Sequence, residues 1–145
     1  MVTAAEGRPD YYIRTTMRDD KLTCRILIVD DDEDLCIVMK AALTRMGAVQ
    51  IEHTLNEAQC HVQQFDPTIL LLDNNLPDGL GVEHIQAIKR LCPGVAIILM
   101  TADTTPNLMH TALGEGAARF VAKPFSAALL KDIIYTLCPE LKNAS

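Results

Sequence analysis

The sequence predicts an α/β fold: a doubly wound, five-stranded parallel sheet with helices on both faces. Three observations lead there. Short, nearly all-apolar runs alternate with longer stretches of helical spacing, the pattern of repeated βα units. The apolar runs show little polar alternation, as expected of parallel strands buried on both sides. Right-handed crossovers then distribute the helices over both faces of one sheet. At 145 residues the chain suffices for one such domain, which buries about 68–70% of the surface exposed by its unfolded chain.

Residues 1–23 mix acids, bases, Gly7 and Pro9 and read as an appended, flexible arm, although Tyr11, Tyr12 and Ile13 leave room for a docked segment. Met17 offers an alternative start. The domain proper is expected over 24–138 and a short tail over 139–145. Residues 25–29 form the first strand, and Leu35, Val38, Ala42 and Met46 mark a helix that stops at Gly47. Residues 49–53 form a weaker second strand, and the helix after it carries Leu55, Ala58, Val62 and Phe65 until Asp66-Pro67 breaks it. Residues 69–73 are the third strand. Val82, Ile85 and Ile88 then share one helical face opposite Lys89 and Arg90, and Pro93-Gly94 closes that segment. Residues 95–100 are the fourth strand. The following helix starts near Thr105, with Pro106 in its first turn, where a missing N–H costs nothing, and runs out at 114–116. Residues 119–122 are a short fifth strand, and Leu130, Ile133, Ile134 and Leu137 mark a last helix over 127–138.

Composition excludes several classes. With 49% hydrophobic and 22% charged residues the chain is globular and not disordered. A net charge of −6 without a Lys/Arg cluster argues against a nucleic-acid surface. The apolar runs are far too short to span a bilayer, and no signal peptide opens the chain, so a cytoplasmic protein is expected. The five cysteines are widely spaced with no Cys-x-x-Cys pair; they read as thiols in packed positions, with neither a zinc site nor a disulfide framework. The four scattered histidines read as surface or structural residues.

Ligands of doubly wound folds sit beyond the carboxyl ends of the strands, and in the 2-1-3-4-5 order the switch point lies between strands one and three. The residues at those ends are Asp30 and Asp31, Asp73, Thr101 and Lys123. If strands one and three are neighbours, Asp30, Asp31 and Asp73 meet. Two unit charges about 4 Å apart repel by roughly 4 kcal/mol at an effective dielectric near 20, so this trio needs a counter-charge. A hard divalent cation supplies it, and Mg²⁺ suits a small carboxylate site that also takes phosphate oxygens; Lys123 offsets part of the remainder. Asp32, Glu33 and Asp34 fit a helix N-cap and first turn instead.

The stretches ILIVDD, LLLDNNLPDGLG, ILMTA and FVAKPF, in this order and spacing, resemble the receiver domain of two-component response regulators over about residues 24–138. The resemblance implies the flavodoxin-like (βα)5 form of the fold, with strand order 2-1-3-4-5, and makes Asp73 the phosphoacceptor. It implies Mg²⁺ held by Asp30, Asp31, Asp73 and the backbone carbonyl of Asn75, with Thr101 binding a phosphoryl oxygen and Lys123 pairing with the acceptor carboxylate or phosphate. It also implies a cis peptide at Lys123-Pro124, and places Asn75 and Asp103 where side chains tune the lifetime of the acyl phosphate. Thr101 and Phe120 match the family's switch positions; Phe120 lacks the hydroxyl of the frequent tyrosine, so its signal must be one of packing.

The partners so implied are a histidine kinase or histidine phosphotransfer protein upstream and a protein target downstream, met through helix four, strand five and helix five. A phosphorylation-dependent homodimer is compatible with the same resemblance; direct contact with nucleic acid or membrane is not expected. Such a chain is a signalling module and not an enzyme, catalysing only its own phosphoryl transfer and dephosphorylation. A stand-alone receiver is the first expectation, and a receiver within a longer transcriptional or enzymatic regulator is the alternative. A flavodoxin-like cofactor binder would need a hydroxyl- and glycine-rich loop where DDDED stands. A haloacid-dehalogenase-type phosphatase would need a second acid where Asn75 stands. A degenerate receiver is disfavoured because all the key residues are present.

Overall fold

The sheet is built from β1 (Cys24–Val29), β2 (Gly47–Glu52), β3 (Ile69–Asp73), β4 (Ala96–Thr101) and β5 (Arg119–Ala122). Its order is β2-β1-β3-β4-β5 and every neighbouring pair is parallel, as expected. The computed structural model describes residues 24–139 and 141; the arm expected at 1–23 and most of the expected tail lie outside the described residues. Five helices connect or follow the strands: α1 (Glu33–Leu43), α2 (Leu55–Phe65), α3 (Ile85–Leu91), α4 (Pro106–Gly114) and α5 (Ala127–Leu137). No helix among the described residues is long and apolar enough to cross a membrane.

The period of two along each strand divides the core. Leu27, Val29, Leu70, Leu72, Ile97 and Leu99 face one side and pack on α2, α3 and α4. Ile26, Ile28, Ile69, Leu71, Ile98 and Met100 face the other and pack on α1 and α5. All twelve strand residues are fully buried. Burying such a side chain is worth about 1.5–3 kcal/mol, so the two layers supply the main drive for folding.

Local chemistry sets the helix ends. Asp32 caps α1 by accepting from the Leu35 N–H, and Glu33 and Asp34 occupy the first turn, where the helix dipole favours negative charge. Asp66 ends α2 in a left-handed conformation at φ 56°. Arg25 reaches across from β1 to donate to the carbonyls of Phe65 and Asp66, putting a cation on the negative end of α2, with its guanidinium 4.6 Å from the centre of the Phe65 ring.

Three expectations need correction. Val38 was expected on the buried stripe of the first helix but is 60% exposed, next to Ile37 at 65%. The face that meets the sheet runs instead through Cys36, Met39 and Leu43, a spacing that puts Val38 outside. That helix also stops earlier than expected: Thr44–Met46 tighten into a 3-10 turn and Gly47 opens β2. Cys60, expected in a packed position, is exposed on α2, because Ala58 and Val62 already fill the inward face there.

Candidate functional site

Sheet register builds the site. Val29 lies beside Leu72, so the next residues along, Asp30 and Asp73, come level at the carboxyl edge of two adjacent strands. Thr101 ends β4 opposite Ala122, which brings the following residue, Lys123, to the same edge. Asp30, Asp73 and Thr101 are all buried, and Asp31 is exposed. One carboxylate oxygen from each of Asp30, Asp31 and Asp73 lies within 4.8 Å of the others. The Lys123 ammonium is 2.8 Å from Asp30 Oδ2 and 3.2 Å from Asp73 Oδ1. The Lys123-Pro124 peptide is cis.

The electrostatics follow from burial and this crowding. Burial, and next the charge on Asp30, push the Asp73 carboxyl above its usual range, opposed by Lys123 and by the nearby Asn75 backbone N–H. Burial pulls Lys123 down, but the hydrogen bond and charge of Asp30, and then Asp73, outweigh it and hold the ammonium above its ordinary value. Lys123 offsets one of the three negative charges and leaves two. Three hard oxygen donors of residual double negative charge, one of them solvent-facing, fit a divalent cation such as Mg²⁺, which favours oxygen ligands and keeps waters. Cys36 lies beneath the site and donates from Sγ to the Asp30 carbonyl at 3.3 Å. Burial first, then Asp30, pushes its thiol up to about 12, so it is a neutral donor at physiological pH and not a competing nucleophile.

The other expected residues lie around this centre. The Thr101 hydroxyl accepts from the Asp103 N–H at 3.1 Å, and Asp103 in turn accepts from the Thr105 N–H; among the described hydrogen bonds none joins Thr101 to Asp73. Asn75 and Asp103 are exposed. Phe120 is half-buried against the layer on the α4 side.

Sequence reasoning missed four contributors in the same shell. Asn74 is buried; its side-chain oxygen accepts from the Val82 N–H at 2.9 Å and its backbone N–H donates to Met100 O at 3.0 Å, closing the loop after Asp73. His53 Nδ1 lies 2.8 Å from the Asp30 carbonyl, and Asp78 accepts from the first two amides of α2. Gly81 is required by contact: a Cβ there would sit 2.4 Å from the Asp73 carbonyl oxygen. The Asp78-Gly79 dipeptide was a readable turn signal; the other three depend on tertiary contacts that leave no local pattern. Gly81→Ala is expected to displace the Asp73 backbone, with thermal melting showing a destabilisation of about 1–3 kcal/mol, as for overpacked sites.

Comparison with known proteins agrees with this arrangement. The family model for the response regulator receiver domain matches residues 26–135. The transcriptional regulatory protein TrcR of Mycobacterium tuberculosis is 30% identical over 129 residues, covering 88% of this chain and 49% of TrcR; the chain thus spans about half the length of that relative. A chemotaxis protein CheY homolog of Campylobacter jejuni is 26% identical over 74% of this chain and 87% of its own length. Among solved structures, the beryllofluoride-activated NtrC4 receiver domain dimer superposes with a TM-score of 0.75 at 30% identity, covering 81% of this chain and 98% of that one. A CheY-like receiver domain protein of Methanospirillum hungatei gives 0.74 at 29% identity over 83% and 98%. With the acid cluster at the switch point, the neighbouring lysine and the matching sheet order, the chain belongs to the response regulator receiver domain family of two-component systems.

Proposed function

We propose that this receiver is a phosphorylation-dependent switch of a two-component phosphorelay and that Asp73 is its phosphoacceptor. The observation that carries the reading is the position of Asp73: a buried carboxylate at the switch point, level with Asp30, held by Lys123 and bordered by a third acid. A carboxylate oxygen of Asp73 attacks the phosphorus of a phosphohistidine on a histidine kinase or histidine phosphotransfer protein. The P–N bond breaks and the imidazole leaves with the electron pair, giving an aspartyl phosphate that water later hydrolyses. Positioning and charge neutralisation are most of what this reaction asks of a protein. Mg²⁺ held by Asp30, Asp31, Asp73 and the Asn75 backbone carbonyl would supply neutralising charge at the phosphoryl oxygens.

Lys123 is already within ion-pairing distance of Asp73 and would turn to a phosphoryl oxygen. Thr101, buried at the end of β4, would exchange its bond to Asp103 for a donated hydrogen bond to the phosphoryl group. Phe120, half-buried behind it, would follow by repacking, biasing a two-state element in the manner of other charge-driven switches. Asn75 and Asp103, exposed beside the approach to Asp73, would tune the lifetime of the aspartyl phosphate. The signal leaves through the face of α4, β5 and α5, where Met109, Leu113 and Leu129 expose apolar surface to a protein target or, after phosphorylation, to a second copy. The chain turns over no external substrate and acts in the cytoplasm, where phosphohistidine donors are presented.

Coverage of the CheY homolog over 87% of its length supports a stand-alone receiver. Coverage of 49% of TrcR supports the second reading, a receiver that is one part of a longer regulator. Incubation with acetyl phosphate and Mg²⁺ tests the reaction by intact mass. One phosphoryl group is expected on the wild type and none after chelation; an adduct indifferent to chelation would contradict the role of the metal.

A further inference from the structure

Asp78 sits at the tip of a small hairpin formed by Asn75–Leu76 and Gly79–Leu80, immediately after the Asp73 strand. Its two carboxylate oxygens accept separately, Oδ1 from the Leu55 N–H and Oδ2 from the Asn56 N–H, each at 2.9 Å. These are the first two amides of α2, groups that no residue within the helix can satisfy. The two backbone bonds hold the Asp78 carboxyl below its usual range, which keeps the fork charged and its hydrogen bonds strong.

The fork serves two amides that the local cap of α2 does not reach. Thr54 Oγ1 accepts from the Glu57 N–H at 3.0 Å, the third amide of the helix, and Glu57 Oε1 accepts from the His53 N–H at 2.9 Å, just ahead of the cap. What the fork adds is a connection between segments more than twenty residues apart. The same helix end is tied to the other acid loop. His53 Nδ1 is 2.8 Å from the Asp30 carbonyl; because a carbonyl only accepts, Nδ1 carries the hydrogen. The Asp30 N–H donates to the Glu52 carbonyl at 3.0 Å. The start of α2 therefore holds the Asp30 loop through His53 and the Asp73 loop through Asp78. At the near end of the hairpin, the Asn75 backbone N–H is close enough to the Asp73 carboxylate to help lower its pKa.

We propose that Asp78 is a positioning residue for the phosphoacceptor site: by clamping the hairpin tip to the first turn of α2 it fixes where Asn75 stands relative to Asp73 and Asp30. The inference rests on the functional reading above. Freed from the fork, the hairpin keeps its own short ladder but loses its anchor to the helix that also holds the Asp30 loop. The cation site then loses preorganisation without losing a ligand.

Isothermal titration with Mg²⁺, paired with thermal melting, tests the idea on four proteins: wild type, Asp78→Ala, Asp78→Asn and Thr54→Ala. Asp78→Ala is expected to weaken Mg²⁺ binding by about 10-fold or more, the range found for groups that orient metal ligands. Asp78→Asn, which keeps one acceptor oxygen, should fall between it and wild type. Thr54→Ala removes a cap of the same helix but leaves the fork in place, so it should lower the melting midpoint while Mg²⁺ affinity stays within about twofold. Mg²⁺ affinity within about twofold of wild type in Asp78→Ala would overturn the proposal, as would an equal loss in Thr54→Ala. If Asp78→Ala does not fold, Asp78→Asn is judged by the same limits. A wild type that neither binds Mg²⁺ nor accepts a phosphoryl group would sink the functional reading itself; a normal wild type beside an unaffected Asp78→Ala would sink only this inference.

Discussion

Asp73→Asn is expected to melt at a higher temperature than the wild type in metal-free buffer while losing the phosphoryl adduct entirely. Stability and the proposed phosphoacceptor role part at this residue because its surroundings work against the ionised acid. Asp73 is 5% exposed, and burial and the Asp30 charge raise its pKa against the pull of Lys123, so the ionised form is held at a cost. An amide of nearly the same shape removes that charge. Replacing an imperfectly compensated buried charge in this way should gain about 1 kcal/mol, or about 4 °C for a domain of this size. The sign with pH follows from the raised folded-state value: the stability contributed by protonating Asp73 is fully present below the unfolded value of 3.8 and lost as pH rises through the folded one. The advantage of Asp73→Asn should therefore be largest near neutral pH and shrink as the solution is acidified. Calorimetry across that range with a chelator present checks both points; a variant less stable than wild type at pH 7 would contradict the account.

Lys123→Ala should move stability the other way, and further. Asp30 is 0% exposed, and Lys123 is its cationic partner at 2.8 Å. Removing one member of a buried pair leaves an uncompensated charge and costs about 3–5 kcal/mol; since the Lys123 side chain keeps 21% exposure, water can reach the gap and the lower end is expected. Saturating Mg²⁺ should restore part of the loss by replacing the missing positive charge. Lys123 also has a raised folded-state value, so its stabilisation is complete below the ordinary 10.5 and is lost as pH rises through the folded one. The wild type should show this alkaline decline and Lys123→Ala should lack it. Denaturant titrations with and without Mg²⁺ decide the matter; an unchanged midpoint in metal-free buffer would mean that the ion pair carries little.

The acid site was legible in the sequence because the fold class supplies the geometry that the residues alone lack. Once 25–29 and 69–73 are read as adjacent parallel strands, the residues that end them must share an edge, and the Val29–Leu72 register places Asp30 beside Asp73. Asp32 was legible as a cap for a local reason, since its partner Leu35 is three residues away. What depends on distant packing was not legible. Val38 and Cys60 are apolar or thiol residues on outward helix faces, and whether such a position is covered depends on the phase at which the helix meets the sheet. Asn74 and His53 act through a loop closure and the carbonyl of Asp30 in the loop after β1, which no spacing rule encodes. Asp78 was visible as part of an Asp-Gly turn, but its partners on α2 come from the fold.

Trapping the aspartyl phosphate with borohydride tests the central claim most directly. Reduction converts a phosphorylated aspartate to homoserine, which peptide mapping locates to a single residue. After reaction with acetyl phosphate and Mg²⁺, homoserine is expected at position 73 and at no other aspartate. Homoserine at Asp30, Asp31 or elsewhere, with position 73 left as aspartate, would contradict it.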